Sequence, residues 1–243
     1  MNHVVKVISM ARSTERRAVF AHNNAHVPFS FVDAVDGVQI YPELGRTPDL
    51  FDPALRYSPG ALGCATSHLL LWQEVVATGS VMTIVEDDAI LRHDFVEQSE
   101  KILASLDPGW DMVVWGWNFD SILSLNIMPG VSPVVALFDQ GQMRGANAEF
   151  QRMGGTPAVH RLDKCFGTPA YAISPAGARK FLGNCLPLKN FEVFFPVLNR
   201  RIPNNGIDIA MNRIYSQTAT YCSLPPLAIT NNDPATSLIQ NGR

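Results

Sequence analysis

Val81-Met82-Thr83-Ile84-Val85-Glu86-Asp87-Asp88 decides the fold, because five mostly β-branched or apolar residues run directly into three carboxylates. A buried strand cannot continue through unpaired charges that each cost several kcal/mol to desolvate. The strand must therefore end there, in an open and polar place. In an open α/β sheet, ligands bind at the carboxyl ends of the strands. The acid triplet thus indicates a divalent-cation site and, through the cation, a phosphate-bearing substrate.

Composition indicates a globular protein with a substantial core. The chain has 243 residues, of which 47% are hydrophobic and 17% charged, and we predict a single domain over 1–243. The net charge of −3 offers no excess of cations for phosphates, which argues against a nucleic-acid partner. The N-terminus lacks the apolar run of a signal peptide, and no stretch approaches the length that spans a bilayer. We expect a soluble, cytoplasmic protein with reduced cysteines, able to sit at a membrane surface.

Predicted strands and helices alternate along the chain, which favours a Rossmann-like, mostly parallel sheet with helices on both faces. The strands are predicted at 4–10, 29–37, 81–85, 111–115 and 168–173, and the helices at 14 onward, 58–78, 95–106, 174–183 and from about 208 to 215. Residues 119–163 resemble long loops or a small insertion, and the chain from Pro225 reads as an irregular tail.

The helix that precedes the acid strand has clear boundary signals. Ser58 is a predicted N-cap with proline after it, and Gly79 is a predicted stop. Gly60 and Gly63 each cost the helix roughly 1 kcal/mol relative to alanine. Their presence predicts that another backbone or a ligand packs closely against this helix.

Four segments of the chain carry a recognisable pattern when they are taken together. They are the Val7–Met10 strand with its Arg12-Ser13 and Arg16-Arg17 turn, the Phe31–Gly37 strand, the Gly60–Trp72 helix and Ile84–Ala89. The combination of Gly-x-x-Gly-Cys-x-x-Ser-His with Glu-Asp-Asp is specific, whereas any single match would be weak. In this combination the chain resembles the family 25 glycosyltransferases, the galactosyl- and glucosyltransferases of lipooligosaccharide biosynthesis. A fifth, weaker match lies at Gly167–Ala178.

The resemblance implies a GT-A-type fold and an inverting transfer of a hexose, galactose or glucose, from a UDP-sugar. The acceptor would be a glycolipid or an oligosaccharide, reached at the inner face of a membrane. By the same resemblance, residues 1–118 would form the nucleotide-sugar-binding half, and residues 119–243 the acceptor-side half with long loops and a C-terminal tail.

The acid triplet is the predicted metal site. Mn²⁺ or Mg²⁺ would neutralise charge on the departing diphosphate, and both ions prefer carboxylate oxygens. Asp88 resembles a direct ligand of the family's acidic element with Glu86 beside it, and we assign Asp87 a supporting catalytic role. The alternative is that these acids cap a turn. The last histidine is His160, so no late histidine can complete the site. Either the tail, with Asn231, Asn232 and Asp233, supplies the missing ligand, or the metal is held loosely with waters.

An inverting transfer needs a base to accept the proton of the acceptor hydroxyl. Asp208, which follows the turn at 203–207, is the first candidate. The competing interpretation is a helix N-cap, since Asp208 lies where the last helix is predicted to begin.

The predicted donor pocket uses residues at the ends of the first two strands. Ser9 lies near the end of the first predicted strand, and one of Arg12, Arg16 and Arg17 would contact the diphosphate, although exposed helix arginines are common. The resemblance places uracil and ribose against Ala34, Val35 and Asp36, whose alternative is a simple Asp-Gly turn. Ser67 and His68 would contact the nucleotide or order the acid loop, and a purely structural histidine is the other possibility.

Two surfaces have weaker predictions. An aromatic platform for a sugar ring is one hypothesis, with core packing as the alternative. A sparse basic cluster is a candidate for contact with a membrane, with a solvated face as the alternative. The platform would consist of Trp115, Trp117, Phe119 and Tyr171, and the cluster of Lys189, Arg200, Arg201 and Arg213.

Two other functions are compatible with the acid triplet. A nucleotidyl- or phosphotransferase would also use paired acids and a metal, but the chain has no Walker-type phosphate loop. A non-catalytic relative that binds a sugar nucleotide is the second. The products distinguish the three functions: a glycosyltransferase would release UDP, a nucleotidyltransferase would release pyrophosphate, and a binding relative would release neither.

Overall fold

The computed structural model describes residues 4–231, apart from the Glu43 side chain, and contains a central sheet flanked by helices. The strands are β1 (Val4–Ser9), β2 (Ser30–Asp33), β3 (Met82–Glu86), β4 (Ala89–Leu91), β5 (Met112–Gly116), β6 (Leu123–Met128), β7 (Ser132–Ala136), β8 (Ala158–Lys164), β9 (Ala170–Ile173), β10 (Glu192–Phe195), β11 (Arg200–Pro203), β12 (Thr220–Leu224) and β13 (Ala228–Thr230). The helices are α1 (Thr14–Asn23), α2 (Gly37–Ile40), α3 (Pro59–Thr78), α4 (Phe95–Ser105), α5 (Gln140–Arg144), α6 (Asn147–Arg152), α7 (Pro175–Cys185) and α8 (Ile207–Asn212), with 3₁₀ turns at Tyr41–Arg46, Pro196–Leu198 and Tyr215–Gln217.

The central sheet is nine-stranded, in the order β2-β1-β3-β9-β5-β12-β8-β6-β7. The predicted α/β class is confirmed, and the sheet is mixed. β1 runs parallel to both β2 and β3, and β5 runs parallel to β12. β9 lies antiparallel between β3 and β5, and the strands beyond β12 are also antiparallel to their neighbours. The parallel trio β2-β1-β3 places three carboxyl ends at one edge of the sheet.

Helices cover both faces of this sheet, as predicted. Along β5, Met112 and Val114 belong to one apolar cluster, whereas Val113 and Trp115 belong to the other. This alternation is the period of two that places successive side chains on opposite faces. The first cluster includes buried residues of α3, α7 and α8, and the second includes those of α1 and α4.

Helix α3 has the predicted boundaries. The Ser58 hydroxyl accepts a hydrogen bond from the Ala61 amide at 3.1 Å, and Gly79 closes the helix in the left-handed conformation with φ 66°. A Cβ on Gly63 would lie 2.4 Å from the Val35 carbonyl oxygen. The close backbone approach that the helix glycines predicted is therefore present at Gly63, and it holds the segment after β2 against α3.

Several predicted boundaries are wrong. Residues 119–163 are not long loops, because they form β6, β7 and β8 as well as α5 and α6. β7 contains Pro133 and has no buried residue, and β8 buries only Leu162, so neither strand has the apolar pattern that identifies a strand from sequence. The tail predicted from Pro225 contains the buried strand β13, which pairs with β4. Ser13 makes no side-chain capping hydrogen bond to α1.

Candidate functional site

A cleft opens where the carboxyl ends of β1, β2 and β3 meet. It contains about 790 Å³ of empty space when its open mouth is included. Nine of the predicted site residues line it: Ser9, Arg12, Arg16, Ala34, Val35, Asp36, Glu86, Asp87 and Asp88. The structure thus brings the acid triplet and most of the predicted donor-site residues together, whereas Ser67 and His68 lie behind the wall of the cleft.

Asp87 is held by two residues of the predicted donor site. Its carboxylate accepts a hydrogen bond of 2.6 Å from the Ser9 hydroxyl, and it forms an ion pair with Arg16, whose Nε lies 3.0 Å away. These bonds tie the loop after β3 to β1 and α1. With these partners, the Asp87 side chain fixes the position of the acid loop.

The Asp36 carboxylate makes two contacts, and its predicted contact with ribose stays a prediction. One carboxylate oxygen caps α2 by accepting from the Val38 amide at 3.1 Å, and the other forms an ion pair with Arg12. The Arg12 guanidinium holds the pKa of Asp36 below its usual value. The carboxylate is therefore ionised and presented at the cleft beside a cation.

Ser67 fixes the wall of the cleft from behind. Its hydroxyl donates to the Gly63 carbonyl at 2.7 Å and accepts from the Val35 amide at 2.9 Å. The Ser67 side chain therefore satisfies the Val35 amide, which follows the end of β2. Together with the close contact at Gly63, it sets the distance between α3 and the cleft wall.

His68 belongs to a buried chain of polar side chains that ends at the acid triplet. Trp72 Nε1 donates to the Tyr171 hydroxyl at 2.8 Å, and that hydroxyl lies 2.7 Å from His68 Nδ1. The other ring nitrogen of His68, Nε2, lies 3.5 Å from a Glu86 carboxylate oxygen. Glu86 also accepts a 2.6 Å hydrogen bond from Thr168, so both neighbours orient it.

Glu86 and Asp88 carry opposite pKa shifts. Burial disfavours ionised Glu86, but its contacts with His68 and Thr168 outweigh burial and hold its pKa below the usual value. Removal from bulk water, followed by repulsion from Glu86, raises the pKa of Asp88 to about 7, although its side chain is exposed at the mouth of the cleft. Negative charge in this cluster is therefore incompletely compensated.

The acid cluster fits a hard divalent cation. Carboxylate oxygens are the donors that Mg²⁺ and Mn²⁺ prefer. An added cation would also relieve the repulsion that raises the pKa of Asp88. The strand β13 brings Thr230 into register with Ala89, and Asn231 lies beside Asp88 along a neighbouring hollow. The other predicted tail ligands, Asn232 and Asp233, lie outside the described residues.

Asp208 lies in the first turn of α8 and is not its N-cap, which is Gly206. Its two carboxylate oxygens accept from the backbone amides of Gly167 at 3.0 Å and Ile209 at 2.9 Å. Burial raises the pKa of Asp208, and nearby Glu86 adds to the shift. The carboxylate joins α8 to the turn that precedes β9 and does not line the cleft described above.

The aromatic platform is wrong, because its four side chains are buried in the core. Tyr171 instead orients His68 through a hydrogen bond. Two side chains next to Glu86, those of Thr168 and Cys64, were not predicted from the sequence. The Thr-Pro pair at 168–169, directly before a strand, was the available signal for Thr168. For Cys64, the signal was its position one helical turn before His68.

An α/β sheet with an acid-lined cleft at its parallel strand ends is an arrangement typical of ligand-binding enzymes. The chain belongs to glycosyltransferase family 25 (LPS biosynthesis protein), whose family model matches residues 2–195. The resemblance inferred from the sequence is confirmed. Among the residues that the structure describes, no helix is long and apolar enough to cross a membrane.

Similar proteins include two from mammals. The chain is 29% identical over 218 residues to "Inactive glycosyltransferase 25 family member 3" of Mus musculus, and 30% identical over 218 residues to "Probable inactive glycosyltransferase 25 family member 3" of Rattus norvegicus. Both matches cover 83% of this chain, but only 32% and 34% of the relatives. The chain therefore spans about a third of the length of the curated relatives it matches.

Among solved structures, mannose-1-phosphate geranyltransferase from Thermus thermophilus overlaps 95% of this chain and 74% of its own. The sequence identity is 10% and the TM-score is 0.36, so the structural similarity is weak.

Proposed function

We propose that this protein is a GT-A-type, metal-dependent, inverting glycosyltransferase. It would transfer a hexose, galactose or glucose, from a UDP-sugar to a lipooligosaccharide or another glycan acceptor. The observation that carries the proposal is the cleft at the ends of β1, β2 and β3, where two arginines and four carboxylates converge. Family membership supports the reaction class.

Different residues of the cleft suit the base, the ribose and the diphosphate of a sugar nucleotide. Ala34 and Val35 present small side chains against which a flat base would pack, and ionised Asp36 would accept from a ribose hydroxyl. Arg12 pairs with Asp36 through one Nη1 contact, and its other N–H groups would pair with the diphosphate, since guanidinium groups suit phosphate oxygens. Arg16 is engaged with Asp87, so its contribution is to hold the acid loop and add positive charge behind it.

Mn²⁺ or Mg²⁺ would be held by Asp88, with Glu86 beside it. When bound, the ion would stabilise negative charge on the departing UDP. The chain's own residues prepare the ligands. His68 and Thr168 orient Glu86, and Ser9 with Arg16 holds the intervening Asp87, so that Asp88 is presented at the mouth of the cleft.

We propose Asp208 as the base that takes the proton of the acceptor hydroxyl. Because its carboxylate does not line the donor cleft, the acceptor would approach it from beside the turn at Gly167. Its raised pKa suits a base, because a more basic carboxylate accepts a proton more readily. Its two amide hydrogen bonds would hold the carboxylate in one orientation. Asp208→Asn tests this role: loss of turnover with unchanged donor binding supports it, and full turnover excludes it.

A non-catalytic relative is the second candidate, because the names of the mammalian relatives describe those proteins as inactive or probably inactive. The presence of Glu86 and Asp88 at the cleft favours activity in this chain. A nucleotidyl- or phosphotransferase remains the third alternative, since it would also use the acid cluster.

Donor hydrolysis separates these functions. UDP-galactose and UDP-glucose are incubated with the protein, with and without Mn²⁺, and the products are quantified. UDP release that needs Mn²⁺ and is lost in Asp88→Asn supports the proposal. Asp107→Asn is the control, since this exposed residue precedes β5 at the opposite edge of the sheet and should change nothing. Pyrophosphate release indicates the nucleotidyltransferase, and thermal stabilisation by UDP-sugars without turnover indicates a binding relative.

We further propose that the 192–203 hairpin, formed by β10 and β11, brings the protein to an anionic membrane that carries the acceptor. Phe194, Val197 and Leu198 expose 45%, 53% and 41% of their surface on it. Arg200 and Arg201 are exposed on the same hairpin. Apolar side chains beside cations suit insertion at an interface with negative headgroups. Lys189 and Arg213, the other members of the predicted basic cluster, are also exposed.

Sedimentation with vesicles tests the hairpin. Binding to phosphatidylglycerol vesicles, weaker binding to phosphatidylcholine, and loss of binding in Phe194→Ser/Val197→Ser support the proposal. Val19→Ser is the matched control, since Val19 is exposed on α1 to 59%. Equal binding by both variants would exclude the hairpin as the contact surface.

A further inference from the structure

Three different donor groups meet beneath the cleft. Cys64 and His68 lie one turn apart on α3, and Glu86 ends β3 opposite them. The Cys64 sulfur, a ring nitrogen of His68 and a carboxylate oxygen of Glu86 all lie within 4.8 Å of one another. The acid triplet and its hard cation do not account for a thiol and an imidazole at this point.

His68 supplies an independent observation. Its side chain is fully buried, yet Nε2 has no hydrogen-bond partner among the described residues. The distance of 3.5 Å from Nε2 to Glu86 is too long for an ordinary N–H···O hydrogen bond. A buried polar atom without a partner is costly and needs an explanation. This one points into the space that the three donor atoms surround.

The His68 ring is held in the orientation that a metal ligand needs. Nδ1 lies 2.7 Å from the Tyr171 hydroxyl, and that hydroxyl also accepts from Trp72 Nε1. Metal-ligating histidines commonly donate their second ring N–H to such a partner, which leaves the other nitrogen free to coordinate. With a metal bound, Nδ1–H would donate to the Tyr171 oxygen, and the Nε2 lone pair would face the ion between Cys64 and Glu86. Without the ion, the Tyr171 hydroxyl donates to Nδ1, and Nε2–H faces Glu86 at 3.5 Å.

We propose that Cys64, His68 and Glu86 form a binding site for Zn²⁺ or a similar borderline-soft divalent cation, with a solvent oxygen as the fourth ligand. Sulfur, nitrogen and carboxylate oxygen together are a donor set that favours zinc over Mg²⁺ or Mn²⁺. Tetrahedral bonds of the usual lengths place ligand atoms roughly 3.3–3.6 Å apart. Side-chain rotations of Cys64 and Glu86 would close the remaining gap. The bound ion would pin α3 to the end of β3.

The test uses Co²⁺ as a spectroscopic substitute for Zn²⁺. The intact protein is stripped with chelator and titrated with Co²⁺ in the absence of any donor sugar. A one-to-one complex with thiolate-to-cobalt charge-transfer absorption, displaced by equimolar Zn²⁺, is expected. The absorption should disappear in Cys64→Ser, and Zn²⁺ should raise the Tm of the wild type but not of this variant.

Asp88→Asn is the matched control, because it removes a carboxylate of the acid triplet but none of the three proposed ligands. This variant should keep the cobalt absorption. Absorption that survives Cys64→Ser, or no Zn²⁺-dependent rise in the wild-type Tm, would overturn the site. Circular dichroism of metal-free Cys64→Ser checks that the variant is folded. The readouts do not involve catalysis, so failure of this site and failure of the proposed glycosyltransferase activity are distinguishable.

Discussion

Gly63→Ala probes the contact that sets the width of the cleft. The added Cβ would lie 2.4 Å from the Val35 carbonyl oxygen and 2.8 Å from the Gly37 amide nitrogen, whereas ordinary contacts begin at 3.4 Å. The two backbones must therefore separate by about 1.0 Å (3.4 − 2.4). Alanine contributes roughly 1 kcal/mol through helix propensity, and overpacking costs about 1–3 kcal/mol. We expect a net loss of up to about 2 kcal/mol in the free energy of unfolding.

The same displacement should reduce turnover proportionally more than it reduces the free energy of unfolding. A misplacement of about 1 Å can cost roughly 100-fold in rate, and the segment that moves carries Val35. Urea unfolding measures stability, and donor hydrolysis measures turnover. Gly183→Ala is the matched control: it lies inside α7 with nothing within 4 Å of the added Cβ, and it should be neutral or slightly stabilising. Gly63→Ala with wild-type stability and wild-type turnover would refute the reasoning.

Three further predictions concern other sites. Calorimetry should show that Mn²⁺ affinity falls as pH drops below about 7, because protons compete with the ion for Asp88, whose folded pKa is raised to about 7. Asp88→Asn should bind Mn²⁺ weakly at every pH, and a wild-type affinity that does not change with pH would contradict the prediction. Tyr171→Phe removes the hydroxyl that both Trp72 and His68 contact. The free energy of urea unfolding should fall by about 1–3 kcal/mol for each buried group left without a partner, and no change would mean that water replaces the hydroxyl. Arg92→Met deletes a fully buried cation that pairs with the Asp94 carboxylate. The free energy of urea unfolding should fall by about 3–5 kcal/mol, and a fall of less than about 1 kcal/mol would show that the ion pair contributes little.

Local signals predicted the first half of the fold well. The Ser58-Pro59 start and Gly79 stop of α3 act through the residues themselves, so they are readable without tertiary information. The strand that ends at Glu86 is also locally determined, because three carboxylates cannot follow it into the core. The Phe95 helix and the strand that ends near Gly116 have equally clear apolar patterns.

Tertiary pairing determines what the sequence pattern left open. Strand β13 is three residues long and is buried only because it pairs with β4, so its composition alone resembles a tail. β9 was recognised as a strand, but its antiparallel direction between β3 and β5 depends on a connection that local patterns do not encode.

The candidate site likewise contains residues that local sequence signals predict and residues that only tertiary contacts reveal. The residues that line the cleft follow strand ends and could be found from the sequence. The side chains that orient them, such as Thr168 beside Glu86, come from distant segments. The partner of Asp87 was unpredicted for the same reason, since Arg16 is 71 positions away in the chain.

The pairing of β13 with β4 has a consequence for how the protein is made. Ile229 lies opposite Ile90, 139 positions earlier in the chain (229 − 90), and β9 also reaches β3 from far downstream. During synthesis, β1, β2 and β3 emerge long before the strands that flank the acid loop. Contacts of such high sequence separation form late, after the cost of closing a long loop has been met. A nascent chain that already displays Glu86–Asp88 would therefore lack the supports that shape its cleft, so ligand binding should begin only after residues 228–230 have left the ribosome.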